Sequence, residues 1–136
     1  MKLKFAAATA ALVALSLPAM SSAEDKLKYE DLVHCAATNQ VIAGVFSLDD
    51  GATKNKTQIE TYNSQATALQ VIAAVGSSKD AKMVLDDTSK EVAVIIAVLG
   101  DADKSKSKAF IETEVPKCNT LGQAAVEVVN DAKASK

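Results

Sequence analysis

The fold is decided by residues 31–51, which read DLVHCAATNQVIAGVFSLDDG. Mostly apolar or small side chains recur there at alternating spacings of three and four residues, the period of one face of an α-helix. The members of this face are Leu32, Cys35, Asn39, Ile42 and Phe46. The turn signal Asp49-Asp50-Gly51 then ends the segment. The stretch therefore predicts an amphipathic helix over about residues 26–48, with a cysteine on its buried face.

The same period recurs in three further segments, at about residues 53–75, 79–99 and 103–132. Short turns rich in Gly, Asp and Ser separate the segments. Long helical segments joined by short turns predict an all-α fold, specifically an antiparallel four-helix bundle. Pro116 lies inside the last segment. It predicts a kink or a break near Glu114, because proline removes a backbone donor and disfavours helical geometry at the residue before it.

The only two cysteines, Cys35 and Cys118, fall in the first and last predicted helices. In such a bundle these helices are antiparallel neighbours, and the two positions lie at similar depths from one end. We therefore expect a Cys35–Cys118 disulfide, which would stabilise the fold by on the order of 4 kcal/mol through the loop it closes. A redox-active pair, free thiols and an intermolecular link remain as alternatives.

Residues 1–23 have the pattern of a secretory signal peptide. A short positive start at Met1–Lys4 is followed by an apolar run over Phe5–Leu17 and by small residues up to Ala23. The apolar run is shorter than the ~20 residues that a membrane span needs. The sequence thus predicts cleavage of the signal, a single domain over residues 24–136 with no membrane span, and a periplasmic or secreted location.

The charge pattern argues against a nucleic-acid partner. All 15 basic residues of the chain are lysines, and two of them belong to the predicted signal. The remaining 13 face 17 acidic residues, so the mature domain is acidic. Arginine supplies the bidentate and stacking contacts that nucleic-acid sites favour, and an acidic domain repels phosphate.

The most unusual segment is residues 92–99, VAVIIAVL, which is apolar on all sides. A helix of this composition presents more apolar surface than two neighbouring helices cover, while its β-branched content would also suit a buried strand. We expect an apolar patch that binds a protein partner, an apolar small molecule or a second copy in a homodimer. The candidate residues are Val92, Ile95, Ile96, Leu99, Phe46 and Phe110. Deep burial under the long last helix is the alternative.

Two polar residues stand out in the first helix. His34, the sole histidine, could ligate a metal or haem iron with Met83 as a distant partner, or could lie on a solvated face near Asp31. Asn39 falls on the apolar face and needs a hydrogen-bond partner in the core, where pairing with a neighbouring helix would set the register of the helices; Tyr62 is a candidate partner. Ligand contact by Asn39 is the alternative.

No arrangement of residues indicates catalysis. A nucleophilic triad would need His34, and the acid pairs Asp49-Asp50 and Asp86-Asp87 are typical of turns or diverge on a helix. We therefore expect a non-enzymatic binding or interaction module that carries no cofactor and no metal. The alternatives are a haem, metal or redox carrier that uses His34, and an envelope-stress or structural protein without a ligand.

Overall fold

The computed structural model describes residues 28–135, which form five α-helices and no strand. The helices are α1 (Tyr29–Phe46), α2 (Gly51–Lys54), α3 (Lys56–Ser77), α4 (Ala81–Leu99) and α5 (Lys104–Ala134). The all-α prediction is confirmed, and each predicted long helix begins and ends within three residues of an observed one. The predicted signal peptide, residues 1–23, lies outside the described residues.

The single turn α2 is an addition to the predicted elements. It fills the connection between α1 and α3 and begins at Gly51. A glycine is required there, because a Cβ atom at this position would collide with the carbonyl oxygen of Phe46. Asp49 adopts a positive φ of 56°, a conformation that aspartate reaches more readily than most residues. The Asp-Asp-Gly sequence therefore makes a tight turn that leads directly into α2.

Contacts between side chains fix the directions of the long helices. Phe46 at the end of α1 stacks on Tyr62 in the first half of α3, so these two helices are antiparallel. Tyr29 at the start of α1 bonds to Asp87 in the first half of α4, so these two are parallel. α5 runs antiparallel to α1. Directions thus alternate along the chain.

α1 lies at the centre of the molecule and packs on α3, α4 and α5, most extensively on α3. α4 packs chiefly on α1 and makes fewer contacts with α3 and α5. The packing is therefore not shared evenly around four helices. Instead α1, α3 and α5 enclose most of the core, and α4 lies along α1.

Two clusters of buried side chains make up the core. The larger cluster joins α1, α3 and α5, with one residue of α4, and its members include Leu32, Cys35, Leu69, Val84, Cys118 and Leu121. The smaller cluster attaches α4 to α1 and α5, and consists of Ala37, Val41, Ile95 and Phe110. α4 thus contacts the larger cluster through Val84 and the smaller cluster through Ile95.

The predicted disulfide between Cys35 and Cys118 is present and joins α1 to α5, with the two Cα atoms 4.8 Å apart. Both residues are 0% exposed and lie inside the larger cluster. A thiol must reach a sulfur atom to exchange with a disulfide. The bond is therefore shielded from reductants as long as α1 and α5 stay packed together.

Of the predicted kink or break near Pro116, the break is wrong, because α5 continues as one helix from Lys104 to Ala134. Pro116 and Glu112 both lie on the exposed side of α5. Water can therefore bond to the Glu112 carbonyl oxygen, which has no helical donor opposite it. Phe110 and Cys118 are buried on either side and hold the helix against α1.

Candidate functional site

The six residues of the predicted apolar patch do not form one surface. Residues 92–99 are helical, so the strand alternative is wrong. Ile95 is 1% exposed and Phe110 is 8% exposed, and both pack with Val41 in the smaller core cluster. These two side chains attach α4 to its neighbours and are not available to a partner.

The other four residues of the predicted patch have three different environments. Val92 and Leu99 are half-buried against the smaller cluster. Phe46 stacks on Tyr62, with ring centroids 5.8 Å apart, so its ring is engaged with α3. Ile96 is 57% exposed and points away from the core. Of the predicted patch, an exposed apolar surface remains on the outward side of α4.

His34 lies between glutamates of two other helices. Its Nε2 atom is 3.0 Å from Oε1 of Glu114 on α5, and its Nδ1 atom is 3.6 Å from Oε1 of Glu91 on α4. The ring of Phe110 lies edge-on to the imidazole. A metal ion or haem iron would therefore have to displace a carboxylate from a ring nitrogen. Among residues 28–135, no group of three or more His, Cys, Asp or Glu side chains could hold a metal ion.

Asn39 is buried, at 1% exposed, but its partner is not Tyr62. Its Nδ2 atom donates to the carbonyl oxygen of Cys118 over 3.4 Å. Beside it, Gln65 Nε2 on α3 donates to Asn119 Oδ1 on α5 over 3.2 Å. A buried polar layer thus crosses α1, α3 and α5 next to the disulfide, and Gln65 is the member that sequence reasoning missed.

Gly122 closes this polar layer from the α5 side. A Cβ atom there would lie 2.7 Å from Asn39 Nδ2 and 2.7 Å from both Cβ and Oε1 of Gln65. Gln65 Oε1 is buried and has no hydrogen-bond partner among the described residues. The layer is thus filled by its own side chains, and we interpret it as a device that fixes how three helices pack rather than as a binding site.

An open groove with a volume of about 590 Å³ lies between α3 and α5. Its apolar lining consists of Ala68, Val71, Ile72 and Val75 from α3 and of Val126, Val128, Val129 and Ala132 from α5. Ala68, Ile72, Val128 and Ala132 are buried and form its floor. Val71 and Val75 are 40% and 46% exposed and form a wall. Apolar side chains are therefore presented to any molecule that enters.

Polar side chains complete the lining of the groove. Asn63, Ser64 and Thr67 come from the middle of α3, while Asn130 and Lys133 come from the last turns of α5. Lys133 is the charged member of the lining. An apolar site with a few polar groups can bind an apolar body and orient a polar group attached to it.

The sequence contains apolar residues that line this groove, but helical periodicity alone does not identify them as a site. The core-facing stripe of α3 leaves out Val71 and Val75, which lie four residues apart, and α5 carries Val126 and Val129. These additional apolar residues indicate a groove only when α3 and α5 are known to lie side by side. That adjacency follows from the tertiary structure and not from either helix.

Comparison of the chain with protein families, curated proteins and solved structures finds no match. None of the helices within residues 28–135 combines the length and apolar character needed to cross a membrane. Function is therefore inferred from the groove and from the exposed helix faces.

Proposed function

We propose that this chain is an exported, non-enzymatic binding protein whose groove between α3 and α5 takes an apolar small molecule. The observation that carries the proposal is the open groove of about 590 Å³ with its lining of valines, alanines and isoleucine. Small-molecule sites in proteins are mostly concave and apolar, with volumes of roughly 300–1,000 Å³. This groove has that size and that chemistry.

The polar side chains favour a ligand with one polar group over a pure hydrocarbon. Asn63, Ser64 and Thr67 offer amide and hydroxyl groups, and Lys133 offers an ammonium group. A ligand that left these groups without partners would lose hydrogen bonds that water supplies to the empty groove. Because α3 and α5 run parallel, Lys133 lies toward the opposite end of the groove from Asn63 and Ser64. The ligand class is therefore a small molecule with an apolar body that carries a polar group.

Export is supported by two independent features. Residues 1–23 have the composition of a signal peptide, and the Cys35–Cys118 disulfide is a bond that persists in oxidising compartments. The alternating helix directions support placing the domain with the antiparallel four-helix bundles, with α4 as the peripheral helix.

Binding to the groove can be tested with an environment-sensitive apolar dye and a series of alkyl alcohols of increasing length as competitors. We expect saturable dye binding, with competition that strengthens as the alkyl chain lengthens. Val71→Asp introduces a charge into the wall of the groove and should weaken dye binding by roughly tenfold or more, because an unpaired carboxylate is costly in an apolar site.

Val45→Asp is the matched control, because Val45 is 52% exposed on α1 and does not line the groove. It should leave the affinity for the dye unchanged. Circular dichroism should show the same helix content in both variants. The assignment of the groove would be contradicted if the protein bound no dye. It would also be contradicted if Val45→Asp and Val71→Asp weakened dye binding equally.

A further inference from the structure

The outward side of α4 is an apolar surface that none of the other helices within residues 28–135 covers. Residues 92–99 contain no charged or polar side chain. Ile95 faces the core, so at 100° per residue the opposite side of the helix carries Ala93 and Ala97. Both alanines are exposed, and Val94 and Ile96 beside them are 55% and 57% exposed. Contiguous exposed apolar surface of this kind commonly marks an interaction site.

The shape of this surface suits a second helix. Ala93 and Ala97 lie one turn apart and form a shallow strip, because their side chains end at Cβ. Val94 borders the strip on one side and Ile96 on the other. A helix laid on the strip could approach closely, with its own larger side chains beside those of Val94 and Ile96. The same pattern on both helices is self-complementary.

The charges at the two ends of the strip favour a second copy of α4 as the partner, in the antiparallel orientation. Lys90 is exposed and lies one turn before Ala93, and Asp101 follows α4 one turn after Ala97. If two copies of α4 cross in opposite directions about the point between Ile95 and Ile96, Lys90 of each copy approaches Asp101 of the other. A parallel arrangement would instead bring together like charges, which repel.

We propose that Ala93, Val94, Ile96 and Ala97 form the interface of a symmetric, antiparallel homodimer of this chain, with a Lys90–Asp101 pair at each end. A two-fold axis lets one surface serve both copies. The groove lies between α3 and α5 and α4 packs chiefly on α1, so dimerisation and groove binding use separate surfaces.

The dimer is weak and depends on concentration. Two helical turns bury less than the roughly 800 Å² per partner of a standard stable interface. Asp101 also accepts from Asp103 N and pairs with Lys106 within the same chain, which reduces what Lys90 can contribute. The apolar strip therefore supplies most of the affinity, and the charge pairs fix the direction.

Analytical ultracentrifugation of the disulfide-bonded protein over a wide concentration series tests the proposal. We expect a reversible monomer–dimer equilibrium. Ala97→Glu should raise the dissociation constant by roughly a hundredfold or more, because it buries an unpaired carboxylate from each copy. Ala109→Glu is the matched control, since Ala109 is exposed on α5 and lies outside the strip. It should leave the equilibrium unchanged.

A double variant tests the antiparallel register. Position 94 of one copy faces position 97 of the other in this arrangement, so Val94→Lys combined with Ala97→Glu should recover dimerisation that Ala97→Glu alone removes. A wild-type protein that stays monomeric, or a dimer that tolerates Ala97→Glu, would overturn the interface. A double variant that stays monomeric would overturn the register. Unchanged dye binding in these variants keeps this test separate from that of the groove.

Discussion

At the scale of single residues, two helical glycines have opposite surroundings. Gly122 lies where a Cβ atom would come 2.7 Å from atoms of Asn39 and Gln65. One of those atoms is the Gln65 Cβ, which cannot move without its helix. Gly44 lies in α1 where an added Cβ atom would meet nothing within 4 Å. A substitution at Gly44 therefore tests only the intrinsic cost of glycine in a helix, whereas a substitution at Gly122 also tests packing.

We predict that Gly122→Ala lowers the free energy of unfolding by ~1–3 kcal/mol, because overpacking forces apart the polar layer of α1, α3 and α5. Gly44→Ala should raise it by up to about 1 kcal/mol, because alanine favours the helix and meets no neighbour. Urea denaturation of both variants measures the difference. If Gly122→Ala proved as stabilising as Gly44→Ala, the tight packing around Gly122 would be refuted.

At the scale of helices, α4 is joined to α1 by a phenol–carboxylate bond. Tyr29 Oη donates to Asp87 Oδ2 over 2.6 Å. Burial, followed by this bond and the charge of Asp87, raises the pKa of Tyr29 to about 12. The protonated phenol is thus favoured in the folded state. Its contribution to stability is complete below the unfolded value of 10.0 and is lost as the pH rises through about 12.

We therefore predict that the free energy of unfolding falls between pH 10 and about 12 more steeply in the wild type than in Tyr29→Phe. Every other ionisable side chain is the same in both proteins, so the difference isolates Tyr29. Phenolate absorbance should show a late step that Tyr29→Phe removes and Tyr62→Phe retains. Asp87→Asn should move that step to lower pH. A late step that survives Tyr29→Phe would assign it to another group.

The helices could be predicted from the sequence, but their exposed faces could not. Spacings of three and four placed every long helix, because an amphipathic helix needs one apolar stripe to be buried. In residues 92–99 every side is apolar, so the pattern carries no information on which side faces the core. Ile95 is 1% exposed and its neighbour Ile96 is 57% exposed. Only the position of α4 along α1 decides between them.

At the scale of the molecule, the disulfide could be predicted and the groove could not. Cys35 and Cys118 are the only two cysteines and lie on inward faces of helices expected to be antiparallel neighbours, so only one intramolecular disulfide pairing was possible. The groove depends on the proximity of α3 and α5, which run parallel. An evenly packed bundle of alternating helices would place these two on a diagonal. The uneven packing around α1 brings them together instead.

The disulfide spans 83 residues of sequence and ties α5 to the central helix. We predict that the double variant Cys35→Ala/Cys118→Ala lowers the free energy of unfolding by about 4 kcal/mol, because the unfolded chain regains the freedom of the opened loop. Urea denaturation of the two oxidation states and of the variant measures this effect. A loss well under 1 kcal/mol would mean that the unfolded chain stays compact without the cross-link.

Reduction of the same bond reports on how the molecule opens. Both cysteines are 0% exposed, so a thiol can attack only after α5 separates from α1. The rate of reduction, followed by alkylation and mass spectrometry, should therefore rise with urea in parallel with global unfolding. Rapid reduction without urea would instead reveal local detachment of α5. Because α3 and α5 both line the groove, such detachment would also open the proposed ligand site, and bound dye should then slow the reduction.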